Sequence, residues 1–531
     1  MCLGPLSACR GVLYLETPPP GDTATSAPGP TAPLQVRPTV EPGTARPTGC
    51  PIPQYEVTAS LDAEDLSNPG PPHSLGPGIA VGDVDGDGWL DLVVTVLDGP
   101  TLLLRNDGTG AYVTETVELS GEPGGSSVAL ADLDGDGDLD GVISRDGPTL
   151  LLISADGAWG SLEVEQLAGP QANATPSLAD IDGDGDLDLF VAGYGGRNTD
   201  PVALDAGATA APSALYRQTS PGTFEDITEF SETLQQGFTF AGAWFDADDD
   251  GDVDLYMAND FGVTVVGNRL LHNDGTGALT WRGDGACYCE PDMYAMGVQV
   301  GDVDGNGLPD LHLTNIHDDL LLAGQQDTTF VDITDAARCK PADRHSDVAW
   351  GAVMADLDLD ADLDLAVAHG VFYPYEEDTT MPLVQPDALL LGDGSGACRD
   401  ASTASGFDGT GIGRTVVAGD LDRDGRPDLV VGSQWSIDIL RNAGGCTESV
   451  TLTVDLGPGN TQGFGARVDA RTADRSQRRW MQPMTTFGAS APELYLAVGP
   501  LGVVSELVVT APDGRTARYT NIPPGALHVA L

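Results

Sequence analysis

Acidic side chains recur along the chain at one fixed spacing. Seven segments follow the pattern DxDxDGxxD or a close variant, with an oxygen-bearing side chain at positions 1, 3, 5 and 9. We number these segments loops one to seven in chain order. Their candidate ligands are Asp83, Asp85, Asp87 and Asp91; Asp132, Asp134, Asp136 and Asp140; Asp180, Asp182, Asp184 and Asp188; Asp246, Asp248, Asp250 and Asp254; Asp302, Asp304, Asn306 and Asp310; Asp356, Asp358, Asp360 and Asp364; and Asp420, Asp422, Asp424 and Asp428.

Carboxylates at this spacing can converge on one cation. A backbone carbonyl near position 7 can face the same point, and glycine permits the sharp turn that the loop needs. Hard oxygen ligands suit Ca²⁺, which takes six to eight oxygens at about 2.3–2.6 Å, better than Mg²⁺, which demands a tight octahedron. Without an ion the carboxylates repel one another. One such string could be a plain acidic turn, but seven in register predict up to seven Ca²⁺ ions.

Two of the loops depart from the pattern. Loop five has Asn306 at position 5 and so carries one negative charge fewer. Loop six has Ala361 where the other loops place a glycine, and a left-handed backbone costs alanine more than glycine. We expect these two loops to bind calcium more weakly than the rest.

The segments around each loop predict the elements that position it. An apolar strand precedes each loop, as in SVALAD, and another follows it, as in DLVVTV; a third and a fourth follow after a turn. The first aspartates of successive loops are 48 to 66 residues apart, close to the length of a four-stranded propeller blade. The sequence therefore predicts an all-β fold, a seven-bladed β-propeller over residues 54–447, whose last blade is completed by Tyr55–Thr58.

The predicted blade places the Asp loops and the turns between third and fourth strands on one face of the disc. The opposite face then carries the long insertions. They are Tyr194 to Pro212, Asn259 to Asn268, Asn315 to Asp319 and His369 to Asp387, with Phe372, Tyr373 and Tyr375, and the segments between blades add Tyr288, Asp292, Tyr294, Arg344 and His345. These loops either build a binding surface around the central channel or are tolerated insertions whose aromatic groups cap the core.

Composition excludes some partners. The chain has 531 residues, with 24 Lys and Arg against 81 Asp and Glu, and a formal net charge of −57. This charge repels phosphate backbones and anionic lipid headgroups, which argues against nucleic-acid binding. No stretch approaches 18 consecutive apolar residues, so the sequence predicts no membrane-spanning helix.

The eight cysteines favour disulfides over a zinc site, because no CxxC pair and no Cys/His cluster occurs. Their pairing cannot be deduced, although Cys287 and Cys289 lie too close in sequence to suggest a relaxed mutual bridge. Disulfides indicate an oxidising compartment.

The first 53 residues predict no folded domain. Thr17 to Pro53 is a Pro/Thr-rich linker that cannot bury enough apolar surface to fold. Ahead of it, Leu6-Ser7-Ala8-Cys9 resembles a bacterial lipobox, although the usual charged and apolar regions of a signal are missing. Either the signal is truncated or the match is chance. In the first case a lipid anchor at Cys9 would be the link to a membrane, as in a bacterial lipoprotein. With or without this anchor, the disulfides and the calcium loops predict a protein that is extracellular or at the cell surface.

The repeat SVALADLDGDGDLDGVI resembles the FG-GAP or VCBS repeats that also build integrin alpha propellers. Residues 448–531, with Asn460 to Val468 and Ser505 to Gly514, are similar to the ASPIC/UnbV domain of the cartilage acidic protein 1 family, as is Met293 to Asp302. Two family features differ here, at Ala511 and at Ala497 to Pro500. The resemblance implies a calcium-binding adhesion or recognition module without agreed catalytic residues. In residues 448–531, apolar and polar residues alternate, which predicts a small antiparallel β domain packed on or beside the propeller.

Three functions follow from these observations. The first is a module that binds carbohydrate or an extracellular protein ligand. The second is a calcium-dependent polysaccharide lyase or hydrolase, with acid or base groups among His317, His345, His369 and Tyr373 beside Arg197 or Arg344. The third is a structural envelope or matrix scaffold. No known catalytic motif occurs in the sequence, so an enzyme is not expected.

Overall fold

The protein is described here by a computed structural model. Its described residues are 13–15, 51–62, 76–97, 99–119, 124–154, 157, 159, 162–169, 173–195, 210–231, 234, 237–283, 287–341, 347–371, 382, 384–434, 436–446 and 448–531.

Seven four-stranded antiparallel units form most of the molecule, and each contains one Asp loop between its first and second strands. We call them sheets one to seven after their loops. Sheets one to three consist of β3 (Gly78–Gly82), β4 (Asp91–Thr95), β5 (Thr101–Asn106) and β6 (Tyr112–Val117); β7 (Ser127–Ala131), β8 (Asp140–Ser144), β9 (Leu150–Ser154) and β10 (Leu162–Gln166); and β11 (Asn173–Ala179), β12 (Asp188–Gly193), β13 (Ala214–Ser220) and β14 (Thr223–Asp226).

Sheets four to six follow the same order. They consist of β15 (Phe238–Phe245), β16 (Asp254–Asp260), β17 (Arg269–His272) and β18 (Thr280–Trp281); β19 (Gly297–Gly301), β20 (Asp310–Thr314), β21 (Leu320–Gly324) and β22 (Phe330–Asp332); and β23 (Ala349–Ala355), β24 (Asp364–His369), β25 (Ala388–Gly392) and β26 (Cys398–Asp400). Single helical turns follow the fourth strands of sheets three, five and six, at Thr228–Phe230, α1 (Thr334–Ala337) and α2 (Ser402–Ser405).

Sheet seven joins the two ends of the repeat region. Its strands β27 (Gly413–Gly419), β28 (Asp428–Ser433) and β29 (Ser436–Asn442) are completed by the N-terminal β2 (Tyr55–Asp62). The register pairs Tyr55 with Asn442 in antiparallel fashion. The predicted closure by the N-terminal strand is therefore confirmed.

The first strands of neighbouring sheets contact one another in a closed cycle, β3–β7–β11–β15–β19–β23–β27 and back to β3. These inner strands are largely buried, and most of their residues are small or apolar. Ser127–Ala131, for example, is buried along its whole length because neighbouring sheets cover it. Outer strands such as Tyr112–Val117 are largely exposed. The prediction of an all-β, propeller-like fold is confirmed.

Two further sheets form the C-terminal domain. The first contains β1 (Leu13–Leu15), β38 (Gly525–Ala530), β30 (Ser449–Asp455) and β35 (Leu494–Ala497), and the second contains β32 (Ser476–Trp480), β31 (Arg467–Arg471), β36 (Val504–Thr510) and β37 (Thr516–Ile522). The second sheet is antiparallel as predicted, but β30 and β38 run parallel. The expectation of a wholly antiparallel domain was wrong for this pair of strands. The alternation of apolar and polar residues predicts a strand but does not determine whether it pairs in parallel or antiparallel fashion.

A hairpin from the C-terminal domain fills the middle of the ring. It consists of β33 (Met484–Thr485) and β34 (Gly488–Ala489), and β34 runs parallel to β3. Because β3 leads into loop one, this direction means that the hairpin enters from the Asp-loop face and reaches its tip at Thr486 and Phe487. We call residues 482–491 the plug.

The plug is held by contacts to the inner strands around the ring. Phe487 is fully buried and lies 5.8 Å from Phe240 and 6.2 Å from Trp350, measured between ring centroids. The hydroxyl of Thr486 donates to the carbonyl of Met296, and the hydroxyl of Thr485 donates to that of Ala352, both at 2.8 Å. The centre of the ring is thus part of the core, and the binding surface that the sequence suggested around a channel would have to lie outside it.

Two disulfides join described cysteines, and one was not expected. Cys339 is bonded to Cys398, which links the segment after α1 to sheet six. Cys287 is bonded to Cys289 although one residue separates them. The expectation against this bridge was wrong because Tyr288 adopts a positive φ of 55° and turns the chain sharply. Cys446 is also disulfide-bonded.

Among the described residues, no helix has the length and apolar character needed to cross a membrane.

Candidate metal centres

The aspartate at position 9 fixes each loop to its own sheet. In loop two, Oδ2 of Asp140 accepts the N–H of Leu133 and Oδ1 accepts the N–H of Ser154 on the third strand, both at 2.7 Å. The same pair of hydrogen bonds recurs at Asp91, Asp188, Asp254, Asp310, Asp364 and Asp428. These carboxylates are almost completely buried. Position 9 therefore joins three segments of the sheet around one carboxylate.

Burial of these carboxylates disfavours their charged form. It raises the pKa of Asp91 and Asp140 to about 7 and that of Asp188 and Asp254 to about 8. Burial also raises the pKa values of Asp310, Asp364 and Asp428 well above the usual range of a carboxyl group. A bound cation would oppose each of these shifts.

The aspartate at position 1 shapes the turn. In loop two, Oδ2 of Asp132 accepts the N–H of Gly137 at position 6, at 3.0 Å. The equivalent bond occurs in every loop, from Gly88, Gly185, Gly251, Gly307, Ala361 and Gly425. Burial raises the pKa of Asp180, Asp246 and Asp302 to about 6. Positions 3 and 5 lie nearer to solvent in most loops.

The side chains of a loop converge as the sequence predicts. Sets whose carboxylate oxygens lie within 4.8 Å of one another include Asp83, Asp85 and Asp91; Asp132, Asp134 and Asp136; Asp180, Asp182 and Asp188; and Asp246, Asp248 and Asp250. His272 adds a nitrogen to a further set with Asp248 and Asp254, and it is a candidate ligand that the sequence pattern alone had missed.

Buried ligand oxygens without a hydrogen-bond partner test whether these residues fit a cation. Within the described structure, such oxygens are Oδ1 of Asp83, Asp182, Asp248 and Asp302, in loops one, three, four and five. A buried acceptor without a donor is costly unless something else satisfies it. An oxygen-seeking cation at the loop centre would do so, and the donor set of carboxylates and carbonyls fits Ca²⁺.

Four loops have a basic side chain beside position 3, on the third strand of the same sheet. Arg105 lies 2.6 Å from Asp85, Arg441 lies 2.6 Å from Asp422, and Arg217 lies 3.9 Å from Asp182. In loop four His272 takes this place, 3.4 Å from Asp248. The corresponding residues of loops two, five and six are Ile153, Ala323 and Leu391, so the loops differ in charge around a shared backbone design.

Loop six is the most buried of the seven. The exposed fraction of Asp356, Asp358, Asp360 and Asp364 is at most 4%. Ala361 has a φ of 83° and Leu359 a φ of 60°, so two side-chain-bearing residues occupy the left-handed region. In loop five, the amide of Asn306 donates to Oδ2 of Asp304 at 3.1 Å and so uses a donor where other loops have a carboxylate. The weaker affinity of these loops stays a prediction.

The C-terminal domain covers the Asp-loop face, which the sequence did not foretell. Its contacts with loops two to seven are Thr461 Oγ1 to Asp132 (3.2 Å), Gly459 O to the N–H of Leu187 (3.1 Å), Arg467 to Asp249 (3.6 Å), Arg478 to Gly307 O (2.5 Å), Arg479 to Ala361 O (3.0 Å) and Ser449 Oγ to Gly425 O (2.5 Å). Arg475 adds an ion pair with Asp362 at 3.1 Å. Loop one faces the domain across a cavity.

On the opposite face, the described part of the insertions partly supports the core-capping alternative. The hydroxyl of Tyr194 donates to Asp260 at 2.8 Å, and its ring stacks on Phe240 with a centroid distance of 4.0 Å. Tyr294 packs against Phe261. Tyr288, by contrast, is 72% exposed.

The residues named for catalysis are only partly described. His369 is buried in β24, and His317 has a φ of 81° and donates its N–H to the carbonyl of Asp347. Arg197, Arg344, His345, Phe372, Tyr373 and Tyr375 lie outside the described residues, as do Cys9 and the linker to residue 50.

Comparison with protein families agrees with this geometry. The description "FG-GAP-like repeat" matches residues 83–143 and 246–313, and "FG-GAP repeat" matches residues 412–445. The chain is therefore a propeller-like protein built of FG-GAP repeats. The description "ASPIC and UnbV" matches residues 457–530, so the protein combines FG-GAP repeats with a C-terminal ASPIC/UnbV domain.

Solved structures resemble the chain only distantly. A lectin from Agrocybe aegerita that recognises non-reducing terminal N-acetylglucosamine is 15% identical, with a TM-score of 0.41, and the match covers 67% of this chain and 88% of that one. BBS1N in complex with ARL6DN matches at 10% identity in a lead-soaked crystal and 8% in a mercury-soaked one, each with a TM-score of 0.41, covering 73% of this chain and 96% or 97% of the other. The comparison with curated proteins gave no match.

Proposed function

We propose that this protein is a calcium-binding recognition module that works outside the cytosol and binds a carbohydrate or protein ligand. The observation that carries the proposal is the convergence of carboxylates in the Asp loops, with buried oxygens that lack a hydrogen-bond partner in loops one, three, four and five. The FG-GAP and ASPIC/UnbV matches support a recognition role of this general kind.

Calcium would act here as a structural ion. Its charge would offset the repulsion among the loop carboxylates, and the residues that would hold it are those at positions 1, 3, 5 and 9. Seven Ca²⁺ ions add 14 positive charges, which changes the formal charge from −57 to −43. The loaded protein would stay strongly acidic, which agrees with the proposal that it does not bind nucleic acid.

The location outside the cytosol rests on two supports. Disulfides at Cys287–Cys289 and Cys339–Cys398 persist in oxidising compartments. Sites that depend on calcium for stability suit a compartment where calcium is abundant. Attachment to a membrane would come through lipidation of Cys9, and mass spectrometry of the cell-derived protein would test this by detecting or excluding a lipid on its first residue.

The ligand surface is proposed on the insertion face. The C-terminal domain makes its hydrogen bonds and ion pairs to the Asp loops and inner strands. The insertion between β16 and β17 exposes the apolar side chains of Val263 and Val265, which are 57% and 44% exposed. Exposed apolar groups beside polar ones are typical of binding surfaces.

The test is to pass the calcium-loaded protein over immobilised polysaccharides and matrix proteins, and to measure retention and released reducing or unsaturated ends together. Retention without released ends supports the recognition module. Released ends would indicate a calcium-dependent polysaccharide lyase or hydrolase instead. The absence of retention on every surface would favour a structural envelope or matrix scaffold.

A further inference from the structure

A cavity of about 530 Å³ separates the C-terminal domain from the propeller at the junction of sheets one and seven. Loops one, two and seven line it on the propeller side, and strands β30 and β38 line it on the other. This volume is in the range of sites that hold small organic ligands. Elsewhere the two domains meet directly, as at loops five and six, where Arg478 and Arg479 bond to backbone carbonyls.

The wall contributed by β30 is polar although another domain covers it. Val450 and Leu452 of this strand are buried in the core of the C-terminal domain, whereas Thr451 and Thr453 line the cavity together with part of Val454. Successive side chains of a strand point to opposite faces, so the hydroxyl groups stand on the cavity side. On the neighbouring β38, His528 lines the same wall and shares a hydrogen bond with Thr453, with 3.1 Å between Nδ1 and Oγ1. A sheet face that served only for packing would be apolar.

The charges around the cavity are nearly balanced once the loop carboxylates are set aside. Three loop carboxylates line the cavity. Asp83 and Asp420 accept the N–H groups of Gly88 and Gly425 in loops one and seven, and Asp424 of loop seven pairs with Arg426. The other ionisable groups are two acids, Glu448 and Glu493, with Arg423 and His528. Neither an anion nor a strong cation is favoured by this set.

Apolar groups complete the lining. Leu90 and Leu139 lie on the propeller side, and Pro492 and Pro524 lie on the side of the C-terminal domain. Hydroxyl, amide, carboxylate and guanidinium groups that both donate and accept hydrogen bonds, set beside apolar patches, suit a ring that has hydroxyl groups at its edge and apolar C–H faces.

We propose that the cavity between sheets one and seven and the C-terminal domain binds an uncharged saccharide unit of one or two rings. The proposal rests on the recognition function above and adds a small-saccharide site at this cavity to the ligand surface proposed on the insertion face. Thr451, Thr453 and His528 provide hydrogen bonds from one wall, and Glu493 and Arg423 provide them from the rim.

The experiment uses the full-length, calcium-loaded protein. Methyl α-glucoside, methyl β-galactoside, N-acetylglucosamine, lactose and cellobiose are titrated by calorimetry, with glucuronate as an anionic comparison. Thr453→Trp fills the cavity. Thr520→Trp places the same ring on the exposed face of the second sheet and serves as the matched control. We expect at least one neutral sugar to bind, and its affinity to fall at least tenfold in Thr453→Trp and to stay unchanged in Thr520→Trp.

A second measurement does not depend on the folding of a variant. The NMR signal of the His528 ring in the wild-type protein, assigned with His528→Gln, should shift on addition of the sugar that binds. A sugar that binds without moving this signal and with equal affinity in Thr453→Trp would overturn the cavity site and leave the recognition function standing. Binding of glucuronate alone, or of no sugar in the panel, would overturn the saccharide class, while retention on matrix proteins would separately decide the recognition function.

Discussion

The two faces of the ring differ in regularity and in exposure. On the Asp-loop face, seven loops repeat the same hydrogen bonds at positions 1 and 9, and the C-terminal domain covers them. On the insertion face, the segments differ in length and sequence, and side chains such as Val263 and Val265 stand exposed. The repeating face is therefore an internal surface, and the irregular face is an external one.

The contrast between the faces places the loop aspartates at an interface between domains. They are the most regular feature of the chain, yet they lie where the propeller meets the C-terminal domain. Four arginines of the C-terminal domain, Arg467, Arg475, Arg478 and Arg479, reach this face out of only 24 basic residues in the chain. The acidic face thus has its own basic counterpart, whose charge adds to that of any bound cation.

Removal of calcium is expected to have the largest effect. Chelation should lower the melting temperature by roughly 10 °C or more, because several ions bind only the folded state and each contributes to its stability. Calorimetry with and without EDTA measures this. An unchanged melting temperature, in protein shown to be free of metal by elemental analysis, would contradict a stabilising role of calcium in the Asp loops.

Truncation of the plug is expected to have the second-largest effect on stability. Phe487→Ala should lower the free energy of unfolding by about 3–5 kcal/mol, because it empties a fully buried aromatic site between Phe240 and Trp350. Leu501→Ala is the matched control in the same domain, at a residue that is 70% exposed, and should change little. Urea unfolding measures both. Equal stability of the two variants would mean that the centre of the ring does not depend on the C-terminal domain.

The insertion side should show a pH dependence that does not require metal. Asp260 is buried and its pKa is raised to about 7 by loss of solvation, so its contribution to stability is present at low pH and is lost as pH rises through about 7. Asp260→Asn should therefore stabilise the protein by about 2 kcal/mol more at pH 8 than at pH 5. Melting curves at both pH values, taken at constant calcium, decide this. A gain that is the same at both pH values would contradict the assignment.

The smallest expected effect comes from exchanging alanine and glycine at position 6, which differs between loop six and the other loops. Ala361→Gly should stabilise by about 1 kcal/mol and tighten the weakest calcium site, because Ala361 has a φ of 83°. Gly137→Ala makes the opposite change in loop two, where φ is 96° and no atom lies within 4 Å of the added Cβ, and should destabilise by a similar amount. Calcium titrations that find seven indistinguishable sites in the wild-type protein would count against the ranking of the loops.

The sequence predicted what short-range patterns control. The aspartate spacing predicted the loops, and the apolar segments on either side predicted the strands, because each loop is held by bonds within its own sheet. The closure by β2 was predicted from the similarity of Tyr55–Thr58 to other fourth strands.

Long-range contacts were less accessible. Nothing in the sequence of residues 482–491 marks this segment as the centre of a ring, because its contacts reach strands 71 to 190 residues away in the chain. The bridge between Cys287 and Cys289 was missed because it depends on the positive φ of Tyr288, which the sequence does not predict for tyrosine. The closely spaced arginines 475, 478 and 479, in a chain so acidic, were the available signal that this domain lies on the aspartates.

The closure of sheet seven also fixes an order of events during synthesis. β2 leaves the ribosome early but pairs with β29, whose Asn442 follows Tyr55 by 387 residues. At about 5–20 residues per second, this strand waits roughly 20–80 s for its partner. Until then its edge and the inner strands of sheet one are open to other chains, and the plug arrives later still. A nascent chain of this protein therefore needs protection from aggregation for most of the time that it takes to translate.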